Sequence, residues 1–589
     1  MSRTPRHSNE SPSLSWVRER RARRAPLVER PTETPVELPD LLHLDARLSL
    51  DPRRIEELLE LSFLGREAAA GLDRGLSQPP TAPDETWQPS LFIDDLFLDR
   101  LVEQSFSVEI DGLRYPVNSR FLVRVLATPP TDLDAVTFRQ DILRELDREP
   151  ELLATARELY RHLVIWLDMF RAPDHAAQLD INTHRLDILR RAKLIIDLME
   201  SGFGDATSGL SRLHEAGRRL RQGAYYRRLC DLLDFESRSS TLTVALNIGA
   251  TGEIKDLHFV DLEEDRDNPF HLSWRRRAWL RLRSILLDHD LSRGTIVQGI
   301  LHRVFEELSP ALVPLVQVSI QLELYLATLG FRRRLQAAGL DACLAEVGPD
   351  MPYRLERLGN PLLLDESPVP CDVVMDRPRA QSLVTGPNSG GKTRLLQSLG
   401  LAQLLGQSGL FVPAAQARIP LLRGMFVSLV ETETADQAEG RLGRELLRIR
   451  NLFSQVGSPS LVILDELCSG TNPAEGTEIF SLVLRLLDRM GADAFISTHF
   501  LDYVRGLEAE PPRDGLRFLQ VEPAPEGLST YQFVDGVAHS SLAAETATRL
   551  GVTFEELSRL IDRRASSSAR PDPEPPAAPR SPENDTVSR

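Results

Sequence analysis

Three short stretches of the chain carry residue types at spacings suited to phosphate chemistry. The first is an apolar run, Ser382-Leu383-Val384-Thr385, followed by Gly386-Pro387-Asn388-Ser389-Gly390-Gly391-Lys392-Thr393, a G-x-x-x-x-G-K-T loop leading into a leucine-rich helical pattern. Glycines let backbone N–H groups approach phosphate oxygens, and the helix that follows adds its positive N-terminus. In such a loop Lys392 reaches the β and γ phosphates and Thr393 ligates Mg²⁺, so the expected cofactors are ATP and Mg²⁺. The second stretch, Ser460-Leu461-Val462-Ile463-Leu464-Asp465-Glu466, is a buried-strand pattern ending in two acids. Asp465 would hold the metal and Glu466 would polarise the attacking water. The third, Ala494-Phe495-Ile496-Ser497-Thr498, delivers His499 to the same edge of an α/β sheet, where a γ-phosphate contact competes with the plainer reading of an ordinary loop histidine.

The elements that must position these groups are legible in outline. Apolar residues recur at three- and four-residue spacing from Asp132 to about Leu233 (Ile142, Leu146, Leu152, Leu153, Leu159, Leu163, Leu167), which predicts long amphipathic helices. From Thr241 the pattern alternates through Leu242, Val244, Leu246 and Ile248, turns at Gly249 to Gly252, and resumes from Ile254 through Val260, a β-hairpin. Helical spacing returns from Ser273 to about Leu340. A β-rich approach (Leu362 to Leu364, Val373 and Val374, Leu383 and Val384) then opens an α/β segment ending near Arg563. The expectation is a multi-domain chain: a disordered basic arm over 1–40, a segment over 41–130 of short apolar runs and turn clusters, a helical core and lever over 131–350, an α/β P-loop ATPase domain over 351–563 and a disordered tail over 564–589. No fixed-period repeat is visible.

Composition narrows the classes. The 589 residues are 42% hydrophobic and 26% charged, a globular balance, and 70 Lys and Arg stand against 86 Asp and Glu for a net charge of −16. A chain this acidic meets nucleic acid only through a local basic surface. Two candidates are the arm with Arg18, Arg20, Arg21, Arg23 and Arg24, and the run Trp274 to Arg283 with its five arginines and two tryptophans; for that run a structural helix paired with Glu263, Glu264 and Asp265 is the preferred reading. Cys230, Cys343, Cys371 and Cys468 form no C-x-x-C pair, so neither a disulfide framework nor a zinc-cysteine site is indicated, and a reducing, cytoplasmic location is expected. The first 30 residues lack an apolar signal core. The apolar window Ala311 to Phe331 is interrupted by Pro314, Gln317, Gln321 and Glu323, which predicts a helix buried in protein and no membrane partner.

The nucleotide-loop string resembles that of the MutS family, whose phosphate loop is distinguished by its Gly-Pro-Asn start and double glycine. Gln407-Ser408-Gly409-Leu410-Phe411-Val412-Pro413-Ala414, Asp465-Glu466-Leu467-Cys468-Ser469-Gly470-Thr471 and Ser497-Thr498-His499-Phe500 are similar to further family stretches, as is Arg357-Leu358-Gly359-Asn360-Pro361-Leu362-Leu363 upstream. Pro129 and Arg139 fall where the family's helical core begins. The likeness covers roughly residues 95–560 and is densest over 355–505. It implies a helical core and lever, a hairpin-bearing clamp, and an ABC-type ATPase acting as a homodimer on DNA, in mismatch repair or related DNA maintenance. It further implies Glu466 and His499 as catalytic, residues 386–393 as nucleotide-binding, and Thr393 with Asp465 as metal ligands. Two departures stand beside it. The Phe-x-Glu mismatch wedge is missing from a suitable N-terminal domain, so mismatch reading is not expected. The loop Asp436-Gln437-Ala438-Glu439-Gly440-Arg441-Leu442-Gly443-Arg444 also lacks the serine that would reach the partner subunit's γ-phosphate, a role Arg441 or Arg444 would have to take. A nucleotide-switched scaffold binding proteins without DNA affinity is the alternative function.

Overall fold

The described residues between Leu38 and Ala127, where the sequence shows only short apolar runs, form helices and a hairpin held against the helical body. The computed structural model describes residues 38–65, 71–72, 75, 87–171, 181–237, 242–248, 254–262, 293–387, 390–429, 441–468, 472–511, 513–522, 530–538 and 552–568. Helix α1 (Pro52–Phe63) is started by Asp51, whose side chain accepts from the N–H groups of Arg53 and Arg54, with Pro52 at the first position where its missing N–H costs nothing. Then come α2 (Leu98–Ser105), a small hairpin of β1 (Val108–Ile110) and β2 (Leu113–Tyr115), and α3 (Ser119–Ala127), capped by Asn118.

The expected amphipathic helices follow as α4 (Leu133–Arg148), α5 (Pro150–Arg171), α6 (Ile181–Gly202), α7 (Ser211–Gln222) and α8 (Ala224–Ser237). Their buried residues keep the helical spacing, as Leu159, Tyr160, Leu163, Trp166, Leu167 and Phe170 do on α5. The alternating segment forms the antiparallel pair β3 (Leu242–Ile248) and β4 (Ile254–Leu262), with register irregularities at Thr243/Val244 and Asn247/Ile248. The arginine-tryptophan run at 274–283, the arm over 1–37 and the tail from 569 onward lie outside the described residues.

The long helix α9 (Arg293–Ala337) is the spine of the body. Its Val304–Ala337 stretch is long and apolar enough to cross a membrane by composition, and its most apolar window is wholly buried inside the protein. The polar residues that interrupt it are hooks for the N-terminal segment. Gln317 accepts from Ser49 N at 2.6 Å and donates to Arg47 O at 2.9 Å, while Gln321 accepts from Leu41 N and donates to Asp40 Oδ1, both at 2.8 Å. Glu323 accepts from Asn118 N at 2.6 Å and from the Tyr160 hydroxyl at 2.8 Å. Burial nonetheless pushes the Glu323 carboxyl up to about 7.

After α9 come β5 (Cys343–Leu344), β6 (Glu346–Gly348), β7 (Arg354–Leu358), β8 (Cys371–Val374), β9 (Gln381–Thr385), α10 (Lys392–Gln407), β10 (Phe411–Val412), β11 (Gln416–Pro420), β12 (Gly424–Ser428), α11 (Arg441–Gln455), β13 (Ser460–Leu464), α12 (Pro473–Met490), β14 (Asp493–Ser497), α13 (Leu501–Ala509), β15 (Leu516–Val521), β16 (Phe533–Asp535) and α14 (Phe554–Ser568), the last running past the boundary read at Arg563. The main sheet has six strands in the order β12-β13-β14-β9-β15-β16, parallel except for β16 at the edge. A four-stranded sheet, β6-β11-β7-β8, lies beside it. One expectation fails here: Leu362 to Leu364 is not extended but passes through a turn into a 3₁₀ turn at Leu364–Glu366. Asn360 Oδ1 accepts from Leu362 N at 2.9 Å and Pro361 has no N–H to give a ladder, so local bonding wins over the apolar run.

One contiguous apolar core runs from Leu41 through the helices to Leu519, and a second cluster fills the space between the main sheet and α12 and α13 around Phe480, Leu484 and Val504. The helical body and the α/β part therefore share a core.

Candidate active site

Strand β9 sits inside the main sheet with neighbours on both sides, so the loop that leaves its C-terminal end is anchored from every direction. The loop crowds Val521 at the end of β15. A Cβ on Gly386 would lie 2.6 Å from Val521 Cγ2, and one on Gly390 would lie 2.7 Å from the same atom. Gly386 also has φ +139°, a conformation L side chains avoid. Glycine at these positions is thus required by the neighbouring strand. Asn388 and Ser389 lie outside the described residues.

Lys392 is buried, and its Nζ donates to Gly386 O and Pro387 O, both at 3.0 Å. Glu466 Oε1 is 3.7 Å away. Desolvation lowers the lysine's pKa, opposed by the charges of Glu466 and Asp465. The ammonium is therefore held over the loop's own carbonyl groups with acidic company on one side.

The two acids arrive from β13 and the histidine from β14. Asp465 N donates to Ser428 O at 2.9 Å, continuing the ladder one residue beyond the strand. Thr393 Oγ1, at the start of α10, donates to Asp465 Oδ2 at 2.5 Å, and Ser497 Oγ donates to Asp465 Oδ1. Burial raises the Asp465 carboxyl despite these two bonds. Glu466 goes the other way: the hydrogen bond with His499, whose Nε2 is 2.8 Å from Glu466 Oε2, lowers it first, and Lys392 adds to this. Adjacent carboxylates thereby differ, one crowded by burial and the other held ionised.

The backbone there is strained. Glu466 and Cys468 have φ of +53° and +59°, left-handed values that cost about 1–3 kcal/mol each in a residue with a side chain. Ser497 Oγ accepts from Glu466 N at 2.9 Å and Glu445 Oε2, on α11, accepts from Cys468 N at 3.0 Å. These two bonds fix the kink that turns Glu466 towards Lys392 and His499.

The sequence-derived residues Lys392, Thr393, Asp465, Glu466 and His499 therefore meet at one mouth. A hydroxyl and a carboxylate oxygen side by side are hard donors of the kind Mg²⁺ takes, so Thr393 and Asp465 fit that ion. Ser497 is a further member, bonded to both acids; its only signal was a hydroxyl at the last strand position before Thr498 and His499. Val521 and Glu445 had no sequence signal. Arg441 begins α11 and Arg444 follows in its first turns, while 436–440 and 469–471 lie outside the described residues.

Helix α10 links this mouth to the helical body. Near its start, Asn360 Nδ2 donates to Arg394 O and Gln397 Oε1, both at 3.1 Å. At its end, Gln407 donates to Pro130 O at 3.0 Å and to Leu422 O at 2.7 Å, and the Arg139 guanidinium bonds both Leu42 O and Ser408 O at 3.0 and 3.3 Å. The helix is buried along nearly its whole length.

Residues 382–554 match the family described as MutS domain V. Among curated proteins the chain is similar to an endonuclease MutS2 of Thermomicrobium roseum, 31% identical over 304 residues that make up 49% of this chain and 37% of that protein. It is 33% identical over 214 residues to an endonuclease MutS2 of Streptococcus agalactiae, covering 36% of this chain and 27% of the relative. It is also 38% identical over 179 residues to the mitochondrial DNA mismatch repair protein MSH1 of Arabidopsis thaliana, covering 30% of this chain and 16% of that one. The chain thus spans well under half the length of these relatives.

Proposed function

The chain is a member of the MutS family, and from that premise we propose that it binds and hydrolyses ATP with Mg²⁺ and couples this to holding DNA as a homodimer. The observation that carries the reading is the meeting of Lys392, the Thr393–Asp465 pair and the Glu466–His499 pair at the mouth of the glycine loop. Lys392 Nζ, which donates to two carbonyl oxygens of the loop, is the cation that would hold the β and γ phosphates, where an anionic acceptor would make the stronger bond. Magnesium, when bound, neutralises charge on the β and γ phosphates. Glu466, held ionised by His499, is set to orient a water and take its proton, and His499 is placed to keep that carboxylate aimed.

DNA as the partner rests on the relatives, which are named as an endonuclease and a mismatch repair protein. The α10 connection supports coupling. A helix that begins at Lys392 and ends in hydrogen bonds to Pro130 and Arg139 passes a displacement at the phosphate loop to the helices behind it.

The test is a binding panel of matched, mismatched, branched and single-stranded DNA with and without ATP, paired with sedimentation in ATP, ADP and no nucleotide for wild type and Glu466→Gln. ATP-dependent dimerisation with salt-sensitive DNA binding is expected. A particle that stays monomeric in ATP in both proteins removes the clamp, and absence of DNA binding leaves a nucleotide-switched scaffold.

A further inference from the structure

Helix α1 carries glutamates into the interior where a helix of purely structural role buries apolar side chains: Glu57 and Glu60 are 6% and 5% exposed. Facing Glu60 on α9 are His302 and Glu306, one turn apart. One ligand atom from each of Glu60, His302 and Glu306 lies within 4.8 Å of the other two. Both ring nitrogens of His302 are shut off from solvent, and among the described residues neither makes a hydrogen bond of good geometry, although Nε2 makes an ion-pair contact with Glu306 Oε1 at 3.1 Å. An imidazolium paired with the two carboxylates would aim its N–H groups at them. An unsatisfied buried imidazole is instead a group that lacks its acceptor or its ligand.

We propose that Glu60, His302 and Glu306 form a binding site for a divalent first-row transition ion of the Zn²⁺ class, clipping α1 to α9. One imidazole nitrogen and two carboxylate oxygens are the donor set such ions take, and three protein ligands leave a position for water. The two helices are already registered around the site. Phe63 and Phe305 stack with ring centroids 3.9 Å apart and an 11° interplanar angle, and Ser309 Oγ donates to Glu56 Oε1 at 3.0 Å. Phe305 lies between His302 and Glu306 in sequence, so the stack fixes the face on which the ligands stand, and the ion needs only small rotations of three side chains. The site is remote in sequence from residues 386–393 and does not rest on the nucleotide reading.

The experiment uses the full-length, metal-stripped protein without nucleotide. Zn²⁺ is titrated calorimetrically, and Co²⁺ binding is followed by visible absorption. One equivalent is expected for wild type and for Asp465→Asn, with no thiolate charge-transfer band. Affinity falls at least tenfold in His302→Ala and in Glu60→Gln, and once one equivalent of Zn²⁺ has been added back, chelator lowers the melting temperature of wild type but not of Glu60→Gln. Should His302→Ala fail to fold, Glu60→Gln and Glu306→Gln decide, since both keep the side chain's size. Absence of stoichiometric Zn²⁺ binding, wild-type affinity in the variants, or a thiolate band placing the ion on cysteine overturns the proposal.

Discussion

Val521 gives a quantitative handle on the phosphate loop, because it is the common obstacle to a side chain at two glycines. For Gly390→Ala the new Cβ would meet Val521 Cγ2 at 2.7 Å, Pro387 O at 3.0 Å and Val521 Cγ1 at 3.2 Å. Carbon atoms rest at about 3.5–4.0 Å, so two of these three contacts come from the valine's γ carbons. Overpacking of this kind costs about 1–3 kcal/mol, or roughly 5- to 150-fold if it falls on ATP affinity. Val521→Ala deletes both γ carbons at a cost of about 1–2 kcal/mol in burial. The double variant Gly390→Ala/Val521→Ala is then better than the sum of its parts by about 1–3 kcal/mol. Gly386→Ala behaves differently. Its Cβ would still lie 2.9 Å from Val521 Cβ and 3.3 Å from Val521 N after truncation, and φ +139° remains, a backbone cost of about 1–3 kcal/mol that no neighbour's truncation relieves. Urea melts and titration with a fluorescent ATP analogue in Mg²⁺ measure both effects. Additive behaviour of Gly390→Ala with Val521→Ala, or equal rescue of Gly386→Ala, would refute the packing account of this loop.

Three further outcomes are expected. Lys392→Met loses productive ATP binding, since loop N–H groups alone cannot replace a cation at the β and γ phosphates; nucleotide affinity and turnover at wild-type levels count against the site. Glu466→Gln keeps ATP binding while hydrolysis drops by roughly 10²-fold or more, the scale of losing a general base, read in a phosphate-release assay; persistent turnover assigns the base elsewhere. Glu323 ionises in the unfolded chain at the usual 4.5 but in the fold only at about 7, so the native state holds the extra proton and stability from this group, present below pH 4.5, is lost as pH rises through 7. Melting temperatures from pH 4.5 to 8 should show a decline that Glu323→Gln reduces, with a residual part from Asp493, also pushed up to about 7; an unchanged slope in the variant shows that Glu323 does not carry the effect.

The candidate site was legible in the sequence because each part of its chemistry is contiguous. A glycine loop, a strand ending in two acids and a strand ending in His499 each announce themselves within a dozen residues, and amphipathic periods and turn signals gave α4 to α8 and the β3–β4 hairpin for the same local reason. What the sequence could not supply was pairing between distant segments. Residues 38–50 have no period of their own; they are ordered by Gln317 and Gln321 of α9, residues that in the sequence read only as interruptions of an apolar run. Ser497 joins both acids, Val521 decides which loop positions must be glycine, and Glu60 meets His302, because a sheet order and a helix packing bring them together. The turn at Asn360–Pro361 went the opposite way from its apolar letters, since a side-chain amide bonded to α10 outweighs a three-residue strand propensity. Sequence by itself fixes what a chain can do over a few residues; hydrogen bonds and contacts that span hundreds of residues form only once the core has closed, and those contacts orient the groups that do the chemistry.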